Sequence, residues 1–171
     1  MDVPVRTDPP NSAPELEMLL AWLEYHRATL LQKCAGLSPE QLCQRSCMPS
    51  TLTLIGLVRH MAEVERGWFV AHYEGRPDAD GIYYTDADPD GDFDNVTPET
   101  VDADFAVYQR ECAQARRVVE AMSDLDQMGV GQHRHGAFSL RWILIHMIEE
   151  YARHNGHADL LRERLDGVTG E

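Results

Sequence analysis

The chain has 171 residues, about one domain's worth, and its 43% hydrophobic content is enough to bury a core. With 29 acidic against 15 basic residues the net charge is −14, which repels a phosphate backbone and argues against a nucleic-acid partner. No apolar run approaches the roughly 18 residues that span a bilayer, and the opening MDVPVRTDPPNSAPE lacks an apolar signal core, so a cytoplasmic protein with no membrane partner is expected. Cys34, Cys43, Cys47 and Cys112 form no CxxC pair and are expected as reduced core residues.

Pro4, Pro9 and Pro10 predict a flexible arm over residues 1–12, ahead of a single domain over residues 13–171. From Pro14, the residues Leu16, Leu19, Leu20, Leu23, Leu30 and Cys34 keep helical spacing until Gly36. Ser38 to Gln41 reads as a short capped turn with proline at its first position. A second helix is predicted over Thr51–Tyr73, with Leu54, Leu57, Met61, Val64, Trp68 and Ala71 as its stripe and Gly75 and Pro77 at its end.

A long loop follows over 78–96, and the stretch Asp78 to Asp104 holds ten acidic residues and no basic one, so the chain's acidity is largely local. Tyr83, Tyr84 and Phe93 are expected to anchor this loop at one bundle end. Thr97-Pro98-Glu99 opens a third helix, with Phe105, Tyr108, Cys112, Ala115, Val119 and Met122 inward and an end near Ser123. Ser139 caps a fourth, which carries Leu140, Ile143, Leu144, Met147, Ala158, Leu161 and Leu165 and closes at Gly167. Only Gly81 to Tyr84 hints at a strand. The expected fold class is therefore all-α, a four-helix bundle with one long connection between helices two and three.

Polar residues interrupt two of these apolar faces. On a helical wheel, His154 falls about 40° from Glu150, and Ile143 and Leu161 lie between them at about 20°. A carboxylate and an imidazole inside an apolar stripe cost several kcal/mol unless paired, hydrogen-bonded or bound to a cation. They can satisfy each other as an i,i+4 pair, or they can join His60, which sits at the edge of the stripe of helix two beside Gly56 and Gly67. His60, Glu150 and His154 together make a three-ligand set with an open position for water or substrate. His146 and His157 are expected as supporting or bundle-end residues, and His133 and His135 as exposed loop residues or parts of a lid.

Two further patterns stand beside this one. Asp86-x-Asp88-x-Asp90-Gly91-Asp92-x-Asp94 follows the first positions of a calcium loop, but Thr97 replaces the twelfth-position glutamate and Pro89 sits inside, so a solvated acidic loop is the stronger reading. Trp22 and Phe69 fall outside the arcs assigned to the core and suggest a homodimer interface.

The stretches LTLIGLVRHMAEVERGWF (52–69) and WILIHMIEEYARHNGHADLLRE (142–163) resemble the DinB-like metalloprotein superfamily. That resemblance implies a metal held by one histidine of helix two, here His60, and by two residues four apart on the last helix. Here that pair is Glu150 and His154 rather than two histidines, a variant similar to the low-molecular-weight-thiol (mycothiol-type) S-transferase branch. The resemblance implies a divalent metal, zinc foremost with nickel and iron as alternatives, and a small thiol as cosubstrate. It implies that the thiol is held as a metal-bound thiolate and conjugated to a small electrophile, with Arg59 or Arg153 meeting anionic groups. Metal-assisted hydrolysis and a non-enzymatic, stress-associated metal-binding role are the competing functions, and turnover without thiol separates the first of these.

Overall fold

The leucine spacing of the N-terminal third becomes helix α1 (Glu15–Cys34), and Ser38 caps the short α2 (Pro39–Leu42) through a reciprocal capping box with Gln41. The computed structural model describes residues 4–76, 79–122, 124–131 and 133–170. Thr53 accepts from the Gly56 amide and starts α3 (Leu54–Glu65), which runs on as a π-helical segment, Arg66–Tyr73. A short α4 (Gly91–Asp94) lies within the acidic connection, and a 3-10 turn (Pro98–Thr100) leads into α5 (Val101–Glu120). Ser139 caps α6 (Leu140–Asp166), which Gly167 ends at φ 80°. Among the described residues there is no strand, only the isolated bridges Thr85–Asp88 and Met128–Ser139. The expected ends at Pro77 and Ser123 lie outside the described residues.

Four long helical segments share one apolar core, in which Leu30, Leu57, Met61, Cys112, Leu144 and Ala158 are buried together. Their directions follow from polar contacts at both ends. Arg141 at the start of α6 meets Glu15 at the start of α1 (2.8 Å), and Arg162 near its end donates to the carbonyls of Lys33 and Ala35 at the C-terminal end of α1 (3.0 and 2.7 Å), so α1 and α6 run parallel. Likewise Arg59 approaches Asp104 (3.9 Å) and Glu65 approaches Cys112 (3.7 Å), which makes α3 and α5 parallel. Consecutive parallel helices need a connection that travels the length of the rods, and the acidic segment supplies it.

The π-helical segment overturns one sequence expectation. Wider i→i+5 winding advances each side chain by less than an α-helix would, so the stripe predicted from α spacing falls out of phase beyond Glu65. Phe69, expected outside the core at a dimer interface, is fully buried together with Val70 and Tyr73, while Trp68 and Ala71 are only half-buried. Trp22, 42% exposed, is the residue of that pair that reaches solvent. The end of the π segment is met by the 129–131 loop, where Val130 and Gly131 donate to the carbonyls of Tyr73 and His72 (2.9 and 3.0 Å). A Cβ at Gly131 would stand 2.1 Å from the Ala71 carbonyl oxygen, so only glycine allows this approach.

A charged network sits inside the apolar core. Arg27 of α1 grips Glu65 of α3 with two hydrogen bonds (2.7 and 2.5 Å), and Glu65 also accepts from the Tyr151 hydroxyl of α6 (2.7 Å). Tyr151 in turn reaches the Tyr108 hydroxyl of α5 (3.0 Å), so the cluster ties all four long segments. Burial, with Glu65 adding to it, pushes the Cys112 thiol up to about 12, and burial does the same to Cys34. These thiols are inert at neutral pH.

Candidate metal centre

His60 of α3 and Glu150 and His154 of α6 come together, with one donor atom from each within 4.8 Å of the other two. The His60 and His154 ring centres are 4.7 Å apart, and His154 Nε2 lies 3.5 Å from Glu150 Oε2. His154 is buried, and the other two are half-buried, so the cluster sits at the edge of the core with one side toward solvent.

Both imidazoles have a polar neighbour at Nδ1. His60 Nδ1 is 2.8 Å from Asp92 Oδ2, and His154 Nδ1 is 3.4 Å from His157 Nδ1. Burial, then the neighbouring His60, His157 and Arg153, lowers the His154 pKa from 6.5 to about 4, while Asp92 opposes the shift. His154 is thus neutral at pH 7 with a lone pair to donate. Two neutral-capable imidazoles and a carboxylate fit a divalent ion of the zinc type chemically, and three ligands leave a position open.

The same shift predicts how the metal-free protein responds to acid. The unfolded chain takes up a proton on residue 154 near pH 6.5, whereas the folded chain resists until about pH 4, so stability is full above 6.5 and declines from there to about 4. Denaturant midpoints of metal-free wild type and His154→Gln across pH 4 to 7 check this: the acid-side decline should be shallower in the variant, and parallel curves would refute it.

The residues around the cluster divide as follows. His146 lies 3.6 Å from Glu150 Oε1, and the exposed Arg153 lies 3.7 Å from the same oxygen while also pairing with Glu149. His146, Glu149 and Glu150 form a second group of donor atoms within 4.8 Å. His133 and His135 lie in the loop before α6, where the His133 ring meets His72, Trp68 and Phe138 rather than the cluster. Arg59 corrects its expectation: it is 5% exposed and donates to the carbonyls of Asn95 and Gly91 (2.7 and 2.8 Å), with its guanidinium over the Tyr83 ring. It holds the acidic connection and is not available to a ligand.

That connection, expected over or beside one bundle end, is held along α3. Glu63 accepts from the amides of Ile82, Tyr83 and Tyr84, and Arg59 clamps residues 91–95, so two side chains of α3 pin the segment along the helix that carries His60. Tyr83 and Phe93 pack on the core, whereas the Tyr84 side chain is exposed and does not. Gly56 lies against this segment: a Cβ there would crowd the capping Thr53 Oγ1 at 2.9 Å and touch the Phe93 backbone at 3.4 Å. Asp92 turns inward to His60, Asp88 bonds Asn95 and Asp94 pairs with Arg45, so these acids do not converge on a common cation. Asp92 and Phe93, whose ring stacks on His60 at 4.6 Å, were not singled out from sequence as parts of the site. No sequence signal separates Asp92 from the other acids of its run.

The fold is thus a helical one with parallel first and last long helices, and His60, Glu150 and His154 from two of its rods form a group that could hold a metal ion. The family model for mycothiol-S-transferase matches residues 18–167, and the chain belongs to that DinB-like family. A crystal structure described as the conserved protein of locus from Enterococcus faecalis superposes with a TM-score of 0.59 at 11% identity, covering 92% of this chain and 100% of that one, a likeness of fold. No curated protein matches the sequence. Among the described residues, no helix is long and apolar enough to cross a membrane.

Proposed function

We propose that this protein is a metal-dependent transferase that conjugates a low-molecular-weight thiol of the mycothiol type to a small electrophile, with His60, Glu150 and His154 as the metal ligands. The observation that carries this reading is the convergence of those three donors from two helices inside a chain of this family. His60, Glu150 and His154 would hold a zinc ion, which would supply the Lewis acidity that lets a bound thiol lose its proton at neutral pH, and nickel or iron would suit the same donors. His154 contributes because its pKa of about 4 keeps it unprotonated. Glu150 adds one negative charge, and the exposed Arg153 beside it stands where an anionic group of thiol or electrophile can be received.

The thiol loses its S–H proton to solvent, sulfur forms a bond to the electrophilic carbon, and the leaving group departs with its electron pair. The protein's buried cysteines, held protonated, take no part. We place this reaction in the cytoplasm on one chain over residues 13–171. A homodimer would be built around the exposed Trp22 rather than Phe69.

Zinc-loaded protein incubated with a small thiol and a reactive alkylating electrophile is expected to form the conjugate, to form none without thiol, and to lose activity on chelation. Equal consumption of an ester or amide with and without thiol would shift the assignment to metal-assisted hydrolysis. Stoichiometric metal with no turnover in either assay would favour a binding role.

A further inference from the structure

Asp92 reaches the cluster from 32 residues along the chain and is 5% exposed. A carboxylate only accepts hydrogen bonds, so its 2.8 Å contact requires the proton of His60 to be on Nδ1. The other carboxylate oxygen accepts from the Phe93 amide at 3.0 Å, which fixes the rotation of the group, and the Phe93 ring covers one face of the imidazole. His60 is therefore held at one nitrogen and one face. Its Nε2 is the nitrogen left to ligate.

We propose that Asp92 is a positioning residue for the metal centre, setting the tautomer and ring orientation of His60 so that Nε2 is presented toward Glu150 and His154. This rests on the metal-centre reading above and adds a fourth residue, delivered by the acidic connection. The connection itself is held by others: Arg59 binds the carbonyls of Gly91 and Asn95, and Glu63 binds three amides at 82–84. Removing the Asp92 carboxylate therefore leaves the connection pinned and takes away the partner of His60. Carboxylate groups behind ligating histidines characteristically fix the tautomer and raise ligand basicity, and their loss costs roughly ten- to a hundredfold in metal affinity.

The test is zinc affinity, measured by competition with a chromophoric chelator, for wild type, Asp92→Ala and Asp92→Asn. Asp92→Ala is expected to bind roughly ten- to a hundredfold more weakly. Asp92→Asn, whose amide oxygen still accepts from Nδ1, should recover most of that loss. The unfolding midpoint of the zinc-free variants should stay close to wild type. Histidine-labelled ¹⁵N spectra of the zinc-loaded wild type supply a readout that does not depend on the variants folding: His60 should show a protonated Nδ1 and a ligated Nε2. Asp92→Ala binding zinc as tightly as wild type, equal losses in the two variants, or metal on Nδ1 would each overturn the role of Asp92 while leaving the centre standing. A wild-type chain that takes up no divalent ion would instead overturn the metal centre, and this inference with it.

Discussion

Glu65→Ala is expected to lower the stability of this protein by about 3–5 kcal/mol, the range found when one partner of a buried ion pair is removed. Arg27 and Glu65 are both buried, and Arg27 would keep only the half-exposed Glu24 at 2.6 Å. The Tyr151 hydroxyl would lose its carboxylate acceptor at the same time and keep only the Tyr108 hydroxyl at 3.0 Å and the Cys112 sulfur. At roughly 2–4 °C per kcal/mol for a chain of this size, the thermal midpoint should fall by about 10 °C. The penalty comes from the stranded charge rather than from the pair's net worth, so the double variant Arg27→Met/Glu65→Leu should be far less destabilised than Glu65→Ala alone. Calorimetric scans of the two would decide it, and equal losses would show that the network stabilises by its own attraction.

The same network bears on the candidate centre. Glu65 lies five residues after His60 on one rod, and Tyr151 directly follows Glu150 on the other. Their 2.7 Å bond therefore sets the register of the two helices whose side chains must meet on one ion. Ligation tolerates displacements of only a few tenths of an ångström, so Glu65→Ala should weaken zinc binding although Glu65 touches no ligand.

The helices and the Glu150–His154 pair were legible in the sequence because both depend on short-range periodicity, whereas His60, on another helix, was singled out as a ligand by the family resemblance. Glu150 and His154 are one turn apart, and a buried carboxylate and imidazole are costly enough to stand out from Ile143 and Leu161 on the same arc. Glu65 was not singled out although it falls about 40° from Met61 on the wheel and so in the core stripe, and its partners Arg27, Tyr108 and Tyr151 come from three other rods. Asp92 was not legible, because nothing local separates it from Asp90 or Asp94. Its place follows from the Arg59 clamp on Gly91 and Asn95, a contact across the fold. The burial of Phe69 was hidden for a related reason: a π-helical segment leaves no mark in the spacing of apolar residues, and its carbonyls at Tyr73 and His72 are met by Val130 and Gly131 from beyond α5.

His154→Ala is expected to abolish tight zinc binding, with a loss exceeding the ten- to a hundredfold assigned to a supporting residue such as Asp92. Two donors, His60 and Glu150, would remain, too few for a centre that keeps an open position. Thiol-dependent activity should vanish with the metal. Spacing alone suggests a further loss of a few kcal/mol from an unpaired Glu150, but the structure gives that carboxylate two other neighbours, His146 at 3.6 Å and Arg153 at 3.7 Å. The metal-free variant should therefore lose only about 1 kcal/mol, as for an ordinary substitution without a stranded charge. His157→Ala, which removes only the contact at His154 Nδ1, should bind zinc more tightly than His154→Ala. Isothermal titration of the three proteins with zinc, alongside urea unfolding of their metal-free forms, measures both effects, and stoichiometric zinc retained by His154→Ala would overturn the ligand assignment.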